Sequence, residues 1–97
     1  MALSAGKSSG KALLELAKAG EVTFVDAATG LVSSIPFVDG LNLKTAIEVA
    51  KLDPRIKAFE VVRPSGIIRI GVEQLPKLGR AKLKSGDVIR MVKLASK

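Results

Sequence analysis

IKAFEVVRPSGIIRIGVE (56–73) decides the fold. Two runs rich in Val and Ile flank Arg63-Pro64-Ser65-Gly66, which is strand chemistry on either side of turn chemistry. Proline at the first central turn position presets φ, and Gly66 eases the exit into the returning strand. The stretch reads as a β-hairpin with strands over 56–63 and 67–73. Phe59 and Val61 share one face of the outgoing strand, and Ile68, Ile70 and Val72 share one face of the return.

Upstream, LNLKTAIEVAKLD (41–53) changes the period from two to 3.6. Leu43, Ala46, Ile47 and Ala50 fall at i, i+3, i+4 and i+7, while Lys44, Glu48 and Lys51 share the wet side. Asn42 suits an N-cap and Pro54 stops the helix after Asp53. Earlier still, EVTFVD (21–26) and LVSSIPF (31–37) form a second hairpin across AATG, with Gly30 placed to accept a positive φ. Pro36 lacks an N–H to donate, which assigns that strand to an edge or ends it there.

Downstream, EQLPKLGRAKL (73–83) is a linking loop whose apolar plugs are Leu75, Leu78 and Leu83. Ser85-Gly86-Asp87 is a tight turn, and a final strand covers 88–94. At the N-terminus, residues 1–10 are rich in Ser, Gly and Lys and read as a flexible arm. From Lys11 a short helix begins, with Leu13, Leu16 and Ala17 on one face and Gly20 as its stop. About ten residues of helix are marginal alone, so Leu13, Leu14 and Leu16 need a surface, on this domain or on a neighbour.

The expected architecture is α+β: ββαββ plus a closing strand, one main helix packed across a mixed sheet of four or five strands. Residues 1–20 form a basic arm and short helix, and residues 21–97 form a single domain. All three aromatic residues are Phe, so the core is built from Val, Ile, Leu and Ala.

In that order, the segment LNLKTAIEVAKLD, the phrase VVRPSG and the closing LKSGDVIRMV resemble the soluble-ligand-binding β-grasp family. The positions that carry the resemblance are Leu43, Ala46, Ile47, Ala50, Val62, Arg63, Gly66, Leu83, Gly86, Asp87, Val88, Ile89 and Met91. It spans about residues 21–94. The chain departs from the family pattern in its first hairpin, where AATG and VSSIPF stand in place of Gly–Val and Pro–Gly pairs. It also has LDPR where the family carries Gly–Gly after the helix. The resemblance implies a β-grasp-like roll and a soluble ligand such as a saccharide, with Arg63, Ser65 and Gly66 at the hairpin tip as the ligand turn. Other β-grasp roles meet missing residues: the chain ends LASK rather than Gly–Gly, and it has no cysteine for an iron–sulfur cluster.

Composition narrows the chemistry further. The 97 residues contain neither Cys nor His. That removes thiolate nucleophiles, imidazole bases and the usual zinc and iron–sulfur ligand sets, and no carboxylate pair sits at a catalytic spacing. The expectation is a protein that is not an enzyme and needs no cofactor. AGKSSGK (5–11) looks at first like a phosphate loop. However, only three residues separate Gly6 from Gly10, Lys11 is followed by Ala12, and no strand precedes it. A hydrophobic share of 47% is globular, no apolar run reaches the ~20 residues of a membrane span, and no signal peptide is seen. A soluble protein, cytoplasmic or part of a virion, is expected, with no membrane partner.

The net charge of +7 is concentrated at the ends. Residues 1–20 hold three lysines against one glutamate, residues 21–72 balance at six each, and residues 73–97 hold seven basic groups against two acidic ones. That pattern favours an acidic partner. Lys7, Lys11 and Lys18 with Leu13, Leu14 and Leu16 are the expected partner-binding arm. Lys77, Arg80, Lys82 and Lys84 form a basic surface able to meet phosphates without base stacking, since no aromatic residue interleaves them. The reading is an interaction protein that docks through its arm onto a larger assembly or onto itself, similar in general character to accessory or decoration proteins of phage virions. Saccharide binding and nonspecific nucleic-acid binding are the alternatives.

Overall fold

The turn at Pro64-Ser65 closes the hairpin as the sequence requires. The computed structural model describes residues 13–51 and 55–93. In chain order these form β1 (Glu21–Asp26), β2 (Val32–Pro36), α1 (Leu43–Ala50), β3 (Ile56–Arg63), β4 (Gly66–Gly71), a 3-10 turn (Val72–Gln74), α2 (Leu75–Leu78) and β5 (Val88–Lys93). The strands make one mixed five-stranded sheet in the order β2-β1-β5-β3-β4. Both hairpins are antiparallel, β5 runs antiparallel to β3, and β1 and β5 are parallel at the centre. The fold is α+β, and two short helices accompany the sheet.

Pairing explains the burial. β1 lies between two neighbours and all of Val22, Thr23, Phe24, Val25 and Asp26 are buried, on both faces. β2 is an edge strand, as Pro36 demands, and only its Ile35 is buried. On one face, α1 lays Leu43 and Ala46 against Val22, Phe24, Phe59, Val61, Ile70 and Ile89, with Ile47 and Ala50 half-buried beside them. Asn42 caps the helix by accepting the Thr45 N–H at 2.8 Å. The helix ends sooner than the sequence pattern suggests. Lys51 takes a left-handed φ of 53° and its N–H returns to Ile47 and Glu48, which breaks the ladder; Pro54 lies outside the described residues.

The opposite face is formed by the residues one step out of phase: Val25, Val62 and Val88, with Glu60 and Arg90 farther along. Leu13 covers its apolar end. It is 5% exposed and packs with Val25, Val62 and Val88, while Leu14 and Leu16 are partly buried against the same cluster. Hydrogen bonds from Leu16 N to Leu13 O and from Ala17 N to Leu14 O wind this segment into a tight turn. Ala17, expected on the buried face, is exposed, because the three-residue spacing of those bonds rotates it away from the sheet. Of the two surfaces the leucine face was expected to suit, it meets its own sheet. Residues 1–12, with Lys7 and Lys11, lie outside the described residues.

Two further expectations are corrected. The return strand stops at Gly71 rather than 73, because the Gly71 N–H is taken by Gln74 Oε1 at 2.8 Å and the backbone curls into the 3-10 turn. The 73–83 link is not plain loop either, since α2 occupies Leu75–Leu78. Leu83 is a true plug, Leu75 is half-buried against the core, and Leu78 is exposed.

The Leu13 contact yields the first test. Leu13→Ala opens a cavity over Val25, Val62 and Val88 and should cost about 2–4 kcal/mol, read as a lower urea midpoint at unchanged slope. An unchanged midpoint would mean that the turn contributes nothing to the body.

Candidate functional site

The ends of β3 and β5 meet the N-terminal turn at a groove of about 560 Å³. Three separate parts of the sequence build it. Leu14, Ala17 and Ala19 come from the N-terminal turn, Val62 to Ser65 from the hairpin tip, and Lys84 to Asp87 from the turn before β5. Members of all three expected site groups therefore converge here: Leu14 of the arm, Lys84 of the basic surface, and Arg63 and Ser65 of the ligand turn.

One ion pair makes the floor of this groove. Arg63 Nε donates to Asp87 Oδ1 at 2.9 Å and Arg63 Nη2 to Oδ2 at 2.8 Å, a two-point fork that fixes the guanidinium plane. Asp87 is 4% exposed, and its Oδ2 also accepts the Lys84 N–H at 2.8 Å. Arg63 Nη2 reaches the Lys82 carbonyl at 3.3 Å as well. The hydrogen bond it donates to Asp87, ahead of the opposing cost of burial, holds the Arg63 guanidinium above its ordinary pKa. Backbone bonds knit the same corner: Thr23 N donates to Asp87 O, Gly86 N to Glu21 O, and Gly20 N to Ser85 Oγ. Gly86 sits at φ +90°, which a side-chain-bearing residue rarely adopts.

This geometry places the residues of the expected ligand turn. Arg63 bonds Asp87 and the Lys82 carbonyl through Nε and Nη2, and so positions the corner. Ser65 and Gly66 are exposed at the tip. Asp87, read from the sequence as a turn residue bonding nearby amides, does bond the Lys84 amide; its ion pair with Arg63 was not anticipated. The signal for it was present in VVRPSG and KSGDV, since a lone Arg and a lone Asp each begin or end a strand. Nothing local says that those strands sit side by side.

Lys18, Lys77, Arg80, Lys82 and Lys84 are exposed, and Lys84 lines the groove. None of Lys77, Arg80, Lys82 and Lys84 forms an ion pair among the described residues. They are spaced along the 77–84 link, which reaches the groove at Lys84. Phe24 and Phe59 are buried and Phe37 is partly buried against the same core, so the chain presents no exposed aromatic ring among the described residues. No group of three or more acidic residues there is placed to hold a metal ion. No described helix is long and apolar enough to cross a membrane. The groove offers an apolar wall of Leu14, Ala17 and Val62, hydroxyls at Ser65 and Ser85, and a cationic rim. The one carboxylate lining it, Asp87, is held by Arg63 and the Lys84 amide.

No family model, curated protein or solved structure matches this chain.

A second ion pair closes the other end of the β1–β5 ladder. Asp26 Oδ2 meets Lys93 Nζ at 3.0 Å, and Asp26 Oδ1 accepts the Ala28 and Thr29 N–H groups at 2.8 and 3.2 Å. The Lys93 bond, with help from those amides and against the cost of burial, holds the Asp26 carboxyl below its usual value.

Two predictions follow from these pairs. Asp87→Ala strands Arg63 and the Lys84 amide and should cost about 2–4 kcal/mol by chemical denaturation. Adding Arg63→Met to that variant should cost little more, because the pair acts as one unit; additive losses would contradict the coupling. For Asp26, the lowered carboxyl pKa means that its stabilisation is present above the ordinary aspartate range and is lost as pH falls through the lowered value. Asp26→Asn should therefore lower the melting temperature at pH 7 and shrink the parent's advantage below about pH 4. Parallel pH profiles for the two proteins would show that Asp26 does not contribute in this way.

Proposed function

We propose that the chain is a non-enzymatic interaction module of β-grasp-like build, docking through its basic N-terminal arm onto an acidic surface of a larger assembly. A virion is one such assembly. The build is supported by the strand order β2-β1-β5-β3-β4, with parallel central strands and α1 lying between two hairpins. The observation that carries the docking reading is the seat of Leu13. That contact anchors the root of the arm on the sheet, beside a groove with an apolar wall and a lysine rim. Lys7 and Lys11 precede this fixed point in the chain, and Lys18 follows it. An acidic partner surface then meets arm and rim together.

The non-enzymatic part rests on chemistry: there is no thiol or imidazole in the chain, and the buried carboxylate of the groove is neutralised by Arg63. Saccharide binding is less well supported, because sugar sites favour an exposed aromatic face and the phenylalanines are turned inward. Nonspecific contact with nucleic acid keeps one specific support, the unpaired row Lys77, Arg80, Lys82 and Lys84.

The test is deletion of residues 1–12, which leaves Leu13 in place. A tagged full chain, purified with nuclease from cells that make it naturally, should elute in a large assembly, and the shortened chain should elute free and folded. Equal behaviour of the two would overturn the reading. Collapse of the assembly on nuclease treatment, with steep weakening as salt rises, would instead assign the contact to nucleic acid.

A further inference from the structure

The two edges of the sheet are not alike. β2 is guarded: it carries Ser33 and Ser34 exposed, ends at Pro36, and passes directly into Phe37, whose N–H is bonded to Gly20 O. β4 (Gly66–Gly71) has none of these devices. It holds no Pro and no Lys, and it presents isoleucines on both faces, Ile67 at 54% and Ile68 at 48% exposed. The 3-10 turn that follows lies against β3, and α2 touches β4 without a backbone hydrogen bond to it among the described residues.

The register tells which backbone groups β4 leaves unpaired. Pro64-Ser65 is a two-residue turn, so Arg63 and Gly66 form a hydrogen-bonded pair, and alternation makes Val61–Ile68 and Phe59–Ile70 the next ones. The N–H and C=O groups of Ile67, Arg69 and Gly71 therefore point outward. The Gln74 side chain on the Gly71 N–H confirms this phase, and it also closes the strand at that end. What remains open is Ile67 and Arg69, placed symmetrically about Ile68.

That symmetry is self-complementary. We propose that β4 pairs antiparallel with β4 of a second copy of this chain, about a two-fold axis at Ile68, to give a continuous ten-stranded sheet across the pair. Ile67 and Arg69 exchange backbone hydrogen bonds with Arg69 and Ile67 of the second copy. Ile68 meets its own symmetry mate on the helix-bearing face, and on the other face Ile67 packs along the aliphatic stem of Arg69. Arg69 is already neutralised, since its Nη1 donates to Glu60 Oε2 at 2.8 Å. The two-fold therefore does not bring bare charges together. The contact is small, which places self-association in a weak range of about 10–100 µM. This inference uses neither the arm nor the groove, so it stands or falls separately from the docking reading.

The experiment is sedimentation equilibrium of the full chain from about 1 µM to 1 mM, a range that brackets weak dimers. A concentration-dependent monomer–dimer curve is expected. Ile68→Lys, which puts two like charges on the axis, should weaken association at least about tenfold. Unfolding curves should show that this half-exposed site still leaves the protein folded. Because the chain has no cysteine, Ile68→Cys supplies an independent reading. Mild oxidation should give a covalent dimer, whereas Ser33→Cys on the β2 edge should not cross-link. A monomer at every concentration overturns the proposal. So does an Ile68→Lys protein that dimerises as the parent does, or cross-linking of Ile68→Cys to Ser33→Cys in a mixture, which would mean head-to-tail growth.

Discussion

Asp87 is the residue through which the two hairpins are held in register. A parallel pair such as β1 and β5 gets no help from a turn, because everything from 27 to 87 lies between them. A slip of one residue along that ladder would turn Val88 toward the helix and Ile89 away from it. Asp87 prevents this from both of its ends. Its carbonyl accepts the Thr23 N–H and sets β5 against β1, while its carboxylate grips Arg63 at the end of β3. The Lys84 amide closes the turn onto the same oxygen that Arg63 Nη2 uses. Asp87 thus couples three strands and a turn through its carbonyl and its carboxylate together, and the groove above it is shaped by that coupling.

The two faces of the sheet are finished by different chemistry. The helix-bearing face is dry, built on Phe24, Phe59, Leu43 and Ile89. The other is apolar only where Leu13 covers Val25, Val62 and Val88. Farther along, Glu60 accepts from Arg69 at 2.8 Å and from Arg90 at 2.6 Å, both of them its direct cross-strand neighbours. This charged ladder lets the rest of the face meet water without a second helix. It also explains why one short leucine turn is enough to complete the protein's cover.

Local chemistry was well written in the sequence. The strands 21–26 and 56–63 could be read to the residue, because β-branched runs ended at AATG and RPSG, and Asn42 announced its own cap. What could not be read were the places where side chains from distant segments decide. Gln74 ends β4 by reaching back to Gly71, and Lys51 ends α1 by adopting a left-handed backbone ahead of the proline that seemed to be the stop. The groove was half legible. Leu14, Ser65 and Lys84 were each singled out from the sequence, but for separate reasons, and only the sheet order brings them together. The ion pair of Arg63 is invisible locally, because its partner lies 24 residues away.

The position of β5 has a consequence for how the molecule comes to exist. It follows every other strand among the described residues, yet it is the middle of the sheet, with β1 on one side and β3 on the other. During synthesis from the N-terminus, both hairpins can be made before it emerges, but they have no strand in common. Each then exposes an open inner edge and half of a core. The sheet joins only when 88–93 enters between them, so this strand acts as a zip fastener for the two hairpins.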